Sequence, residues 1–365
     1  MKQIKTTLYK KSKTGAVQQW SVFVEGSEVI VEWGKLDGKL QTESYQCFAK
    51  NVGRSNQTSP EEQAEMEAIA KWEKQIKKNY SEDINSSDIK KLPAKVNDWK
   101  KLKKTPEFPL YASIKMNGVN CLIIRDPVTR SLQFVSRGGE QYPVLSHMVK
   151  GIHEYMDSIC VDELNVELYK HGEHLQDIQS AVKKHNELSS KLVAVVFELP
   201  NLGEKAYSER VDWMWKAQTS EFVKTSFINP VRSLEELHTF FDYSLHSNFE
   251  GIVIKTPTNK YEYGVRATDA WKLKPVEDDE FLINWCKLDK KGHVVFECFI
   301  KDQSRTFNVK CKGTDEERKK IAGEADQWIG KWLKVEYEML SKDGVPLKPV
   351  GIGLRNVDEF GNVLE

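Results

Sequence analysis

The chain has 365 residues, and its 54 Lys and Arg are balanced by 54 Asp and Glu, so the formal net charge is zero. Any binding to nucleic acid must therefore come from local basic patches, because the protein as a whole does not attract phosphates. No apolar run reaches the ~18 residues of a membrane span, and the charged residues after Met1 predict no signal peptide. The composition indicates a globular protein of two or three domains.

The six cysteines form no CxxC pair and mostly lie inside apolar runs. They are Cys47, Cys121, Cys160, Cys286, Cys298 and Cys311. This pattern favours buried free thiols in a reducing compartment over zinc ligands or disulfides. We therefore expect a cytoplasmic protein, in the host cytoplasm if the chain is viral.

The first fifty residues alternate as β-strands do, most clearly over residues 19–24 and 28–33. A helix is expected from Ser59-Pro60-Glu61-Glu62, which is a capping box with proline in the first helical position. Apolar residues then recur at helical spacing toward Tyr80, namely Ala64, Ala68, Ile69 and Trp72. The sequence therefore predicts a small β-plus-helix domain over residues 1–82.

This first segment resembles a WGR domain, the module that contacts DNA ends and breaks in poly(ADP-ribose) polymerases. Trp33-Gly34-Lys35 stands where that family has Trp-Gly-Arg. The resemblance implies contact with DNA. The alternative is a packing module whose tryptophans are core residues.

Residues 83–104 are predicted to form a basic linker. A polar stretch is followed, over residues 90–104, by seven lysines against one acid, Asp98. Such a run is either a solvated surface or a track for phosphates.

Residues 111–124 place Lys115 between two apolar runs, in a turn that contains Gly118. This pattern predicts strand, turn and strand, with Lys115 held at the edge of a sheet. Desolvation or a nearby cation can free the amine of such a lysine for covalent nucleophilic catalysis. Taken alone, a solvated charge is the alternative.

Charged residues recur in apolar strands further along the chain. Arg137 ends a strand and precedes two glycines, which lets a guanidinium project toward a ligand. Glu167 and Glu250 each lie in or at the start of an apolar strand, where a carboxylate needs a cation. Lys272 and Lys274 are two apart, and so share one face of a strand.

These residues suit one reaction, in which a lysine amine attacks the α-phosphate of a nucleotide. Lys272 and Lys274 can neutralise the charge that develops there. Glu167 and Glu250 can hold Mg²⁺, which prefers oxygen ligands. The aromatic ring of Phe197, near the end of the apolar strand 192–199, can stack on a base.

The order of these motifs resembles the covalent nucleotidyltransferases, which comprise ATP-dependent DNA ligases, RNA ligases and mRNA capping enzymes. The family motifs stand here as Lys115-Met116-Asn117-Gly118, Ser136-Arg137-Gly138-Gly139, Asn165-Val166-Glu167-Leu168, Phe197, Glu250-Gly251-Ile252-Val253 and Lys272-Leu273-Lys274.

The resemblance implies a lysyl-AMP adduct on Lys115, with Arg137 on the ribose or the nick phosphate. It implies that Glu167 and Glu250 serve the ribose and the metal, and that Phe197 stacks on adenine. The residues assigned to nucleotide binding are Ile114, Asn120, Arg137, Glu167, Phe197, Lys272 and Lys274.

Five positions depart from the family pattern. Asn117 replaces an aspartate, Asn120 an arginine, and Ser113 a Glu or Gln that often reads the adenine amino group. Asn165-Val166 replaces Asp-Gly. The asparagine at position 120 is typical of one RNA ligase family, so an RNA substrate is a real alternative.

After residue 275 the sequence predicts several short strands with one interposed helix, which indicates an OB-fold barrel. It looks like the OB domain of DNA ligases, whereas the RNA ligases with the asparagine usually carry a helical domain there. Arg355 resembles a terminal basic motif that orients pyrophosphate, and Arg266 is a candidate contact to a DNA phosphate. With Arg137, these form the predicted DNA-binding set.

The sequence thus predicts an α+β multidomain protein. Its parts are a WGR-like domain (1–82), a basic linker (83–104), an ATP-grasp-like nucleotidyltransferase domain of antiparallel sheets with helices (105–275) and an OB-fold β-barrel (276–365). The predicted function is an ATP-dependent DNA ligase of compact, bacteriophage-like type, a monomer that uses ATP and Mg²⁺ to seal nicked double-stranded DNA. The alternatives are an RNA ligase and a non-catalytic protein that binds DNA breaks.

Overall fold

The computed structural model describes residues 1–11, 15–84, 91–289 and 291–356. The chain divides into two compact units, Met1–Lys91 and Leu92–Glu365. Residues 85–90 of the predicted linker, including Lys90, lie outside the described residues. Within the described ranges, no helix is long and apolar enough to cross a membrane.

The first unit is an antiparallel sheet with one helix. Its strands are β1 (Lys2–Gln3), β2 (Leu8–Lys11), β3 (Val17–Glu25), β4 (Glu28–Lys35) and β5 (Leu40–Gln46), and the helix is α1 (Pro60–Ile76). The order is β1-β3-β4-β5, and β2 also pairs with β3. The two strands predicted over residues 19–24 and 28–33 are confirmed as β3 and β4.

Helix α1 begins at the predicted capping box. The Ser59 hydroxyl accepts from the Glu62 N–H at 3.2 Å, and the Glu62 carboxylate accepts from the Ser59 N–H at 2.8 Å. Ala64 and Ala68 are fully buried against the sheet. Ile69, which was expected on the same apolar face, is instead 36% exposed, because the buried side of this helix consists of Gln63, Ala64 and Ala68.

The second unit opens with two sheets and the helices that cover them. The strands up to residue 273 are β6 (Lys95–Asp98), β7 (Leu110–Lys115), β8 (Val119–Arg125), β9 (Leu132–Ser136), β10 (Gln141–Tyr142), β11 (Glu163–Tyr169), β12 (Val193–Glu198), β13 (Val223–Thr225), β14 (Ile228–Val231), β15 (Gly251–Lys255) and β16 (Arg266–Leu273). The helices are α2 (Ser146–Ser158), α3 (Leu175–Lys183), α4 (Tyr207–Lys216) and α5 (Leu234–His246).

The two sheets meet at Lys115. One has the order β10-β9-β8-β11-β12-β13 and the other β14-β7-β15-β16-β6. Strand β7 ends at Lys115 in the second sheet, and β8 begins at Val119 in the first, so the predicted turn carries the chain from one sheet to the other. The sheets are antiparallel as expected except for β12–β13 and β16–β6, which are parallel.

The predicted linker is partly a strand. Residues Lys95–Asp98 form β6 and pair with β16 at the edge of the second sheet. The Asn97 side chain donates to the Ala267 carbonyl at 2.7 Å, and the Trp99 ring packs edge-on against Trp271. The sequence did not predict this strand, because Val96 is its one apolar residue and lysines are dense around it.

The last part of the second unit is a closed barrel of order β17-β18-β19-β21-β20. It is formed by β17 (Glu277–Leu288), β18 (Val294–Phe299), β19 (Thr306–Cys311), α6 (Asp315–Glu324), β20 (Trp332–Tyr337) and β21 (Val350–Arg355). The short strands and the interposed helix that the sequence predicts after residue 275 are confirmed. Strand β21, which is rich in glycine, was not predicted.

Candidate active site

A cavity of about 800 Å³ in the second unit gathers most of the predicted site residues. Those that line it are Ile114, Lys115, Asn120, Arg137, Glu167, Phe197, Glu250, Arg266, Lys272 and Lys274. They belong to separate motifs along the sequence and lie on both sheets, and the fold brings them together in one site. Arg355 is exposed at the end of β21 and does not line the cavity.

Lys115, Glu250 and Lys274 form one ion cluster at the floor of the cavity. The Glu250 carboxylate contacts the ammonium groups of both lysines. The Glu250 N–H also donates to the Lys115 carbonyl at 3.0 Å, where β15 joins β7. Burial alone would raise the pKa of Glu250, but the two neighbouring ammonium groups lower it, and Glu250 in turn helps to raise the pKa of Lys274.

Gly251 allows β15 to lie close against β16 beside Lys274. Its φ is +143°, and a Cβ there would lie 2.2 Å from the Leu273 carbonyl oxygen. Only glycine accepts both the backbone conformation and the close contact. The motif that begins at Glu250 thus needs its second residue to bring β15 against β16, beside Lys274.

Glu167 lies on the central strand β11, opposite Asn120 of β8 and facing the cavity. Burial raises the pKa of Glu167 to about 7, although Lys115, Arg137 and the Gly118 N–H oppose that rise. A carboxyl group in this state gains from added positive charge. Glu167 is therefore the site residue most in need of a cationic ligand.

Replacing Gly118 with alanine is expected to disrupt the site around Glu167. The added Cβ would lie 2.6 Å from the Leu168 carbonyl oxygen and 2.8 Å from Glu167 Cγ, which is closer than real Cβ contacts allow. We expect a loss of about 1–3 kcal/mol in unfolding free energy and at least a tenfold slower enzyme. Chemical denaturation and an activity assay test this.

Gly323 of α6 is the matched control for Gly118, because a Cβ added there meets nothing within 4 Å. Gly323→Ala should leave the activity unchanged and, within a helix, raise stability by about 0.5–1 kcal/mol. Equal behaviour of the two alanine variants would refute the steric account.

Lys272 and Phe197 are half-buried in the cavity wall. Desolvation and the nearby Lys274 ammonium lower the pKa of Lys272. Negative charge added next to this lysine would therefore stabilise its ammonium form. Arg137 is exposed at the rim. The Ser136 hydroxyl accepts from the N–H groups of Gly138 and Glu140 at 3.3 and 2.9 Å, which fixes the turn that carries Arg137.

The barrel contributes residues that the sequence did not reveal. Glu338, just after β20, accepts from Lys274 at 3.1 Å and from Lys348 at 2.7 Å. Desolvation would raise the pKa of Glu338, but the two lysines lower it to about 2. The segment between β20 and β21 thus places a carboxylate next to Lys274, one of the two lysines predicted to neutralise phosphate.

We expect Glu338→Gln to lower the KM for a phosphate-bearing substrate of this cavity by about two- to fivefold. The neutral amide no longer competes for Lys274 and Lys348, which are then available to phosphate. Steady-state kinetics test this, with Glu336→Gln on β20 as the control, since Glu336 does not line the cavity. A KM that is equal in the two variants and the parent protein would contradict it.

A buried ion network below the cavity was also missed. Arg210 is fully buried and donates to Glu198 at 2.6 and 3.0 Å, while Lys255 donates to the same carboxylate at 2.6 Å. Glu198 and Lys255 form part of the cavity lining, whereas Arg210 lies behind it. Glu198 directly follows Phe197, and so the network holds the end of β12 in place.

No group of three or more His, Cys, Asp and Glu side chains in metal-binding arrangement occurs within residues 1–11, 15–84, 91–289 and 291–356. Glu167 and Glu250 remain the candidate carboxylates in the cavity. Two such ligands suit a hard cation that keeps several waters and takes its other oxygens from a substrate phosphate. They do not suit a cation held by the protein alone.

A family model described as "ATP dependent DNA ligase domain" matches residues 91–274, about half of the chain. The chain belongs to the ATP-dependent DNA ligases. DNA ligases of African swine fever virus isolates are 24% identical to this ligase over 347 residues, covering 87% of this chain and 80% of theirs. The formation of a lysyl-AMP intermediate is general to the family.

Solved structures support the fold of this ligase. The structure named "Pmar-Lig_Pre." aligns with a TM-score of 0.63 and 18% identity, over 73% of this chain and 68% of that one. A Lig E DNA ligase aligns with a TM-score of 0.58 and 15% identity, over 73% of this chain and 100% of that one. At these identities the likeness concerns the fold alone.

Proposed function

We propose that this ligase seals nicks in duplex DNA through an AMP adduct on Lys115. The observation that carries the proposal is the ion cluster of Lys115, Glu250 and Lys274 at the floor of the cavity. A nucleophilic amine, a carboxylate that orients it and a second cation for the phosphate are close together there. This is the set that attack on an α-phosphate requires.

The reaction has three balanced steps. The Lys115 ammonium loses a proton to solvent, its amine attacks the α-phosphorus of ATP, a P–N bond forms, and the P–O bond to pyrophosphate breaks. The oxygen of a 5′-phosphate then attacks the same phosphorus and frees the lysine. Finally, the 3′-hydroxyl attacks the activated 5′-phosphate and gives its proton to solvent, which forms the phosphodiester bond and releases AMP.

The other cavity residues take roles that follow from their chemistry. Lys272 and Lys274 neutralise charge on the phosphates, and Phe197 offers its ring to the adenine. Ile114 is buried in the same wall and gives the base an apolar contact. Asn120 supplies hydrogen bonds to the nucleotide.

Glu167 and Glu250 would hold Mg²⁺, and the raised pKa of Glu167 is the feature of this site that fits such an ion. Bound there, the ion would polarise the phosphate oxygens and offset their charge. The chain's own part is to keep both carboxylates in the cavity wall, on β11 and at the start of β15.

The barrel and three arginines are proposed to hold the DNA. The strand order β17-β18-β19-β21-β20, with a helix after β19, supports an OB fold, a barrel that binds nucleic acid. Arg266 and Arg137 lie at the cavity and Arg355 on the barrel, and each can contact a phosphate. The first unit is proposed to be a WGR-like DNA contact. We also propose that the protein acts as a monomer in the cytoplasm.

An RNA ligase is the second candidate, and Asn120 favours it because that residue is typical of one RNA ligase family. The barrel favours DNA. A non-catalytic protein that only binds breaks is disfavoured, since it would not need the ion cluster around Lys115.

Labelled ATP separates these functions. The full chain is incubated with ATP labelled at the α-phosphate and with Mg²⁺, and is then given either nicked duplex DNA or single-stranded RNA. We expect label on the protein and its discharge by nicked DNA with sealing. Sealing of RNA alone would overturn the choice of substrate, and a protein that takes no label would overturn the catalytic proposal.

A further inference from the structure

A series of hydrogen bonds leads from the backbone at Ala94 to the wall of the cavity. The Ala94 N–H donates to the Tyr261 hydroxyl at 3.2 Å, and that hydroxyl donates to Asn165 Oδ1 at 3.0 Å. Asn165 Nδ2 donates to the Cys121 carbonyl at 3.2 Å and to Asn120 Oδ1 at 3.3 Å. Tyr261 and Asn165 are 6% and 1% exposed, so water does not compete for these bonds.

We call this series of hydrogen bonds, from Ala94 through Tyr261 and Asn165 to Asn120, the relay. The backbone groups of Ala94 and Cys121 fix the direction of every bond in it. A backbone N–H can only donate, so the Tyr261 oxygen accepts from Ala94 and its own proton goes to Asn165. A carbonyl oxygen can only accept, so Asn165 must turn its Nδ2 toward Cys121. The same Nδ2 faces Asn120, which must therefore present its Oδ1 to Asn165.

Because Asn120 presents its Oδ1 to Asn165, its Nδ2 group is available to a ligand. Asn120 lines the cavity, and its side chain shares a sheet face with Glu167, the residue opposite it in the register of β8 and β11. Among the described residues, no protein acceptor is hydrogen-bonded to Asn120 Nδ2. Two N–H donors are thus presented beside the carboxylate that needs a cation.

We propose that Tyr261 is a positioning residue for nucleotide binding, which acts through Asn165 to hold Asn120 with its Nδ2 donors toward an acceptor oxygen of ATP. The inference rests on the proposed function, because ATP is the ligand. Loss of the Tyr261 hydroxyl removes one of the two bonds that fix the Asn165 amide and leaves the bond to the Cys121 carbonyl. Asn165 is then held less firmly, and Asn120 presents its Nδ2 donors to the ligand for less of the time.

Tyr261→Phe tests the relay, because it removes one oxygen and keeps the ring that packs edge-on against Tyr263. The first readout is the Kd for α,β-methylene-ATP, an analogue that cannot adenylate the lysine, measured by calorimetry on the full chain. We expect the Kd to rise about three- to tenfold. The rate of adenylation at saturating ATP should stay within about twofold.

Tyr263→Phe is the matched control. Tyr263 donates to Glu163 and has no place in the relay, so its hydroxyl should be dispensable for the Kd. An Asn120→Ala background supplies the second test. There, adding Tyr261→Phe should cause no further loss, because the relay acts only through Asn120.

Three outcomes would overturn the proposal: an unchanged Kd in Tyr261→Phe, an equal rise in Tyr263→Phe, or a full further loss in the Asn120→Ala background. Asn165→Ala breaks the relay one step nearer the cavity and replaces Tyr261→Phe if that variant does not fold. A parent protein that binds the analogue but takes no label from ATP would count against the proposed function and not against the relay.

Discussion

Arg210→Met is expected to lower the free energy of unfolding by about 3–5 kcal/mol, the range for breaking a buried ion pair by removing one partner. Arg210 is fully buried and is bonded to Glu198 through two nitrogens and to the Asn259 carbonyl at 2.9 Å. Without it, the buried Glu198 carboxylate retains Lys255 as its cation and the Leu199 N–H as a donor, and the Asn259 carbonyl loses its donor. Urea denaturation followed by tryptophan fluorescence measures the loss.

Arg130→Met is the matched control for that variant. Arg130 is 53% exposed and bonded to Asp157 at 2.7 Å, on the surface, where an ion pair contributes about 0–1 kcal/mol. If the two variants lose similar amounts, then burial is not what makes the Arg210 network important.

The same network predicts how stability depends on pH. Burial would raise the pKa of Glu198, but Lys255 and Arg210 lower it to about 2, below the value of an unfolded glutamate. A lowered pKa means that the unfolded state binds more protons, so stability falls as the pH falls. The contribution of Glu198 is complete above about pH 4.5 and is lost between about pH 4.5 and 2. Arg210→Met should flatten the stability curve over this window.

The sequence was sufficient to predict the positions of residues whose surroundings are set by their own strand. Lys115 ends an apolar run three residues before Gly118, and Glu250 directly precedes Gly251 and another apolar run, so the local pattern places each charged residue at the end of a strand. The order of such patterns along the chain then located the cavity. The first helix was equally predictable, because Ser59 and Glu62 satisfy each other within one turn.

Residues whose roles depend on distant partners could not be predicted in this way. Glu338 acts on Lys274 because the segment after β20 returns to the end of β16, a contact between positions 64 apart in the chain. Tyr261 reaches Asn165 across 96 positions. Neither residue differs in its local pattern from an ordinary polar residue next to a strand. Fold-level geometry alone gives them their partners.

Lys115→Ala is expected to abolish labelling of the protein by ATP, with a fall of at least about a thousandfold, because no other group can replace the nucleophile. The Lys115 ammonium is held against Glu250 where β7 ends. Of the other lysines of the cavity, Lys255 is paired with Glu198, and Lys274 is shared between Glu250 and Glu338. Gel analysis of the labelled protein measures the effect directly.

Lys115→Arg distinguishes the nucleophile from a positive charge that merely binds phosphate. Arginine stays protonated at any pH at which the protein folds, so it can preserve ATP binding but cannot attack phosphorus. We expect this variant to bind α,β-methylene-ATP and to take no label. The control is Lys150→Ala on α2, since Lys150 is 89% exposed and its ion-pair partner is Glu154, and this variant should label as the parent does. Label that survives in Lys115→Arg would place the adduct on another residue. In that case the Lys115–Glu250 ion pair would serve phosphate binding. The covalent step would then take place on another residue of the cavity.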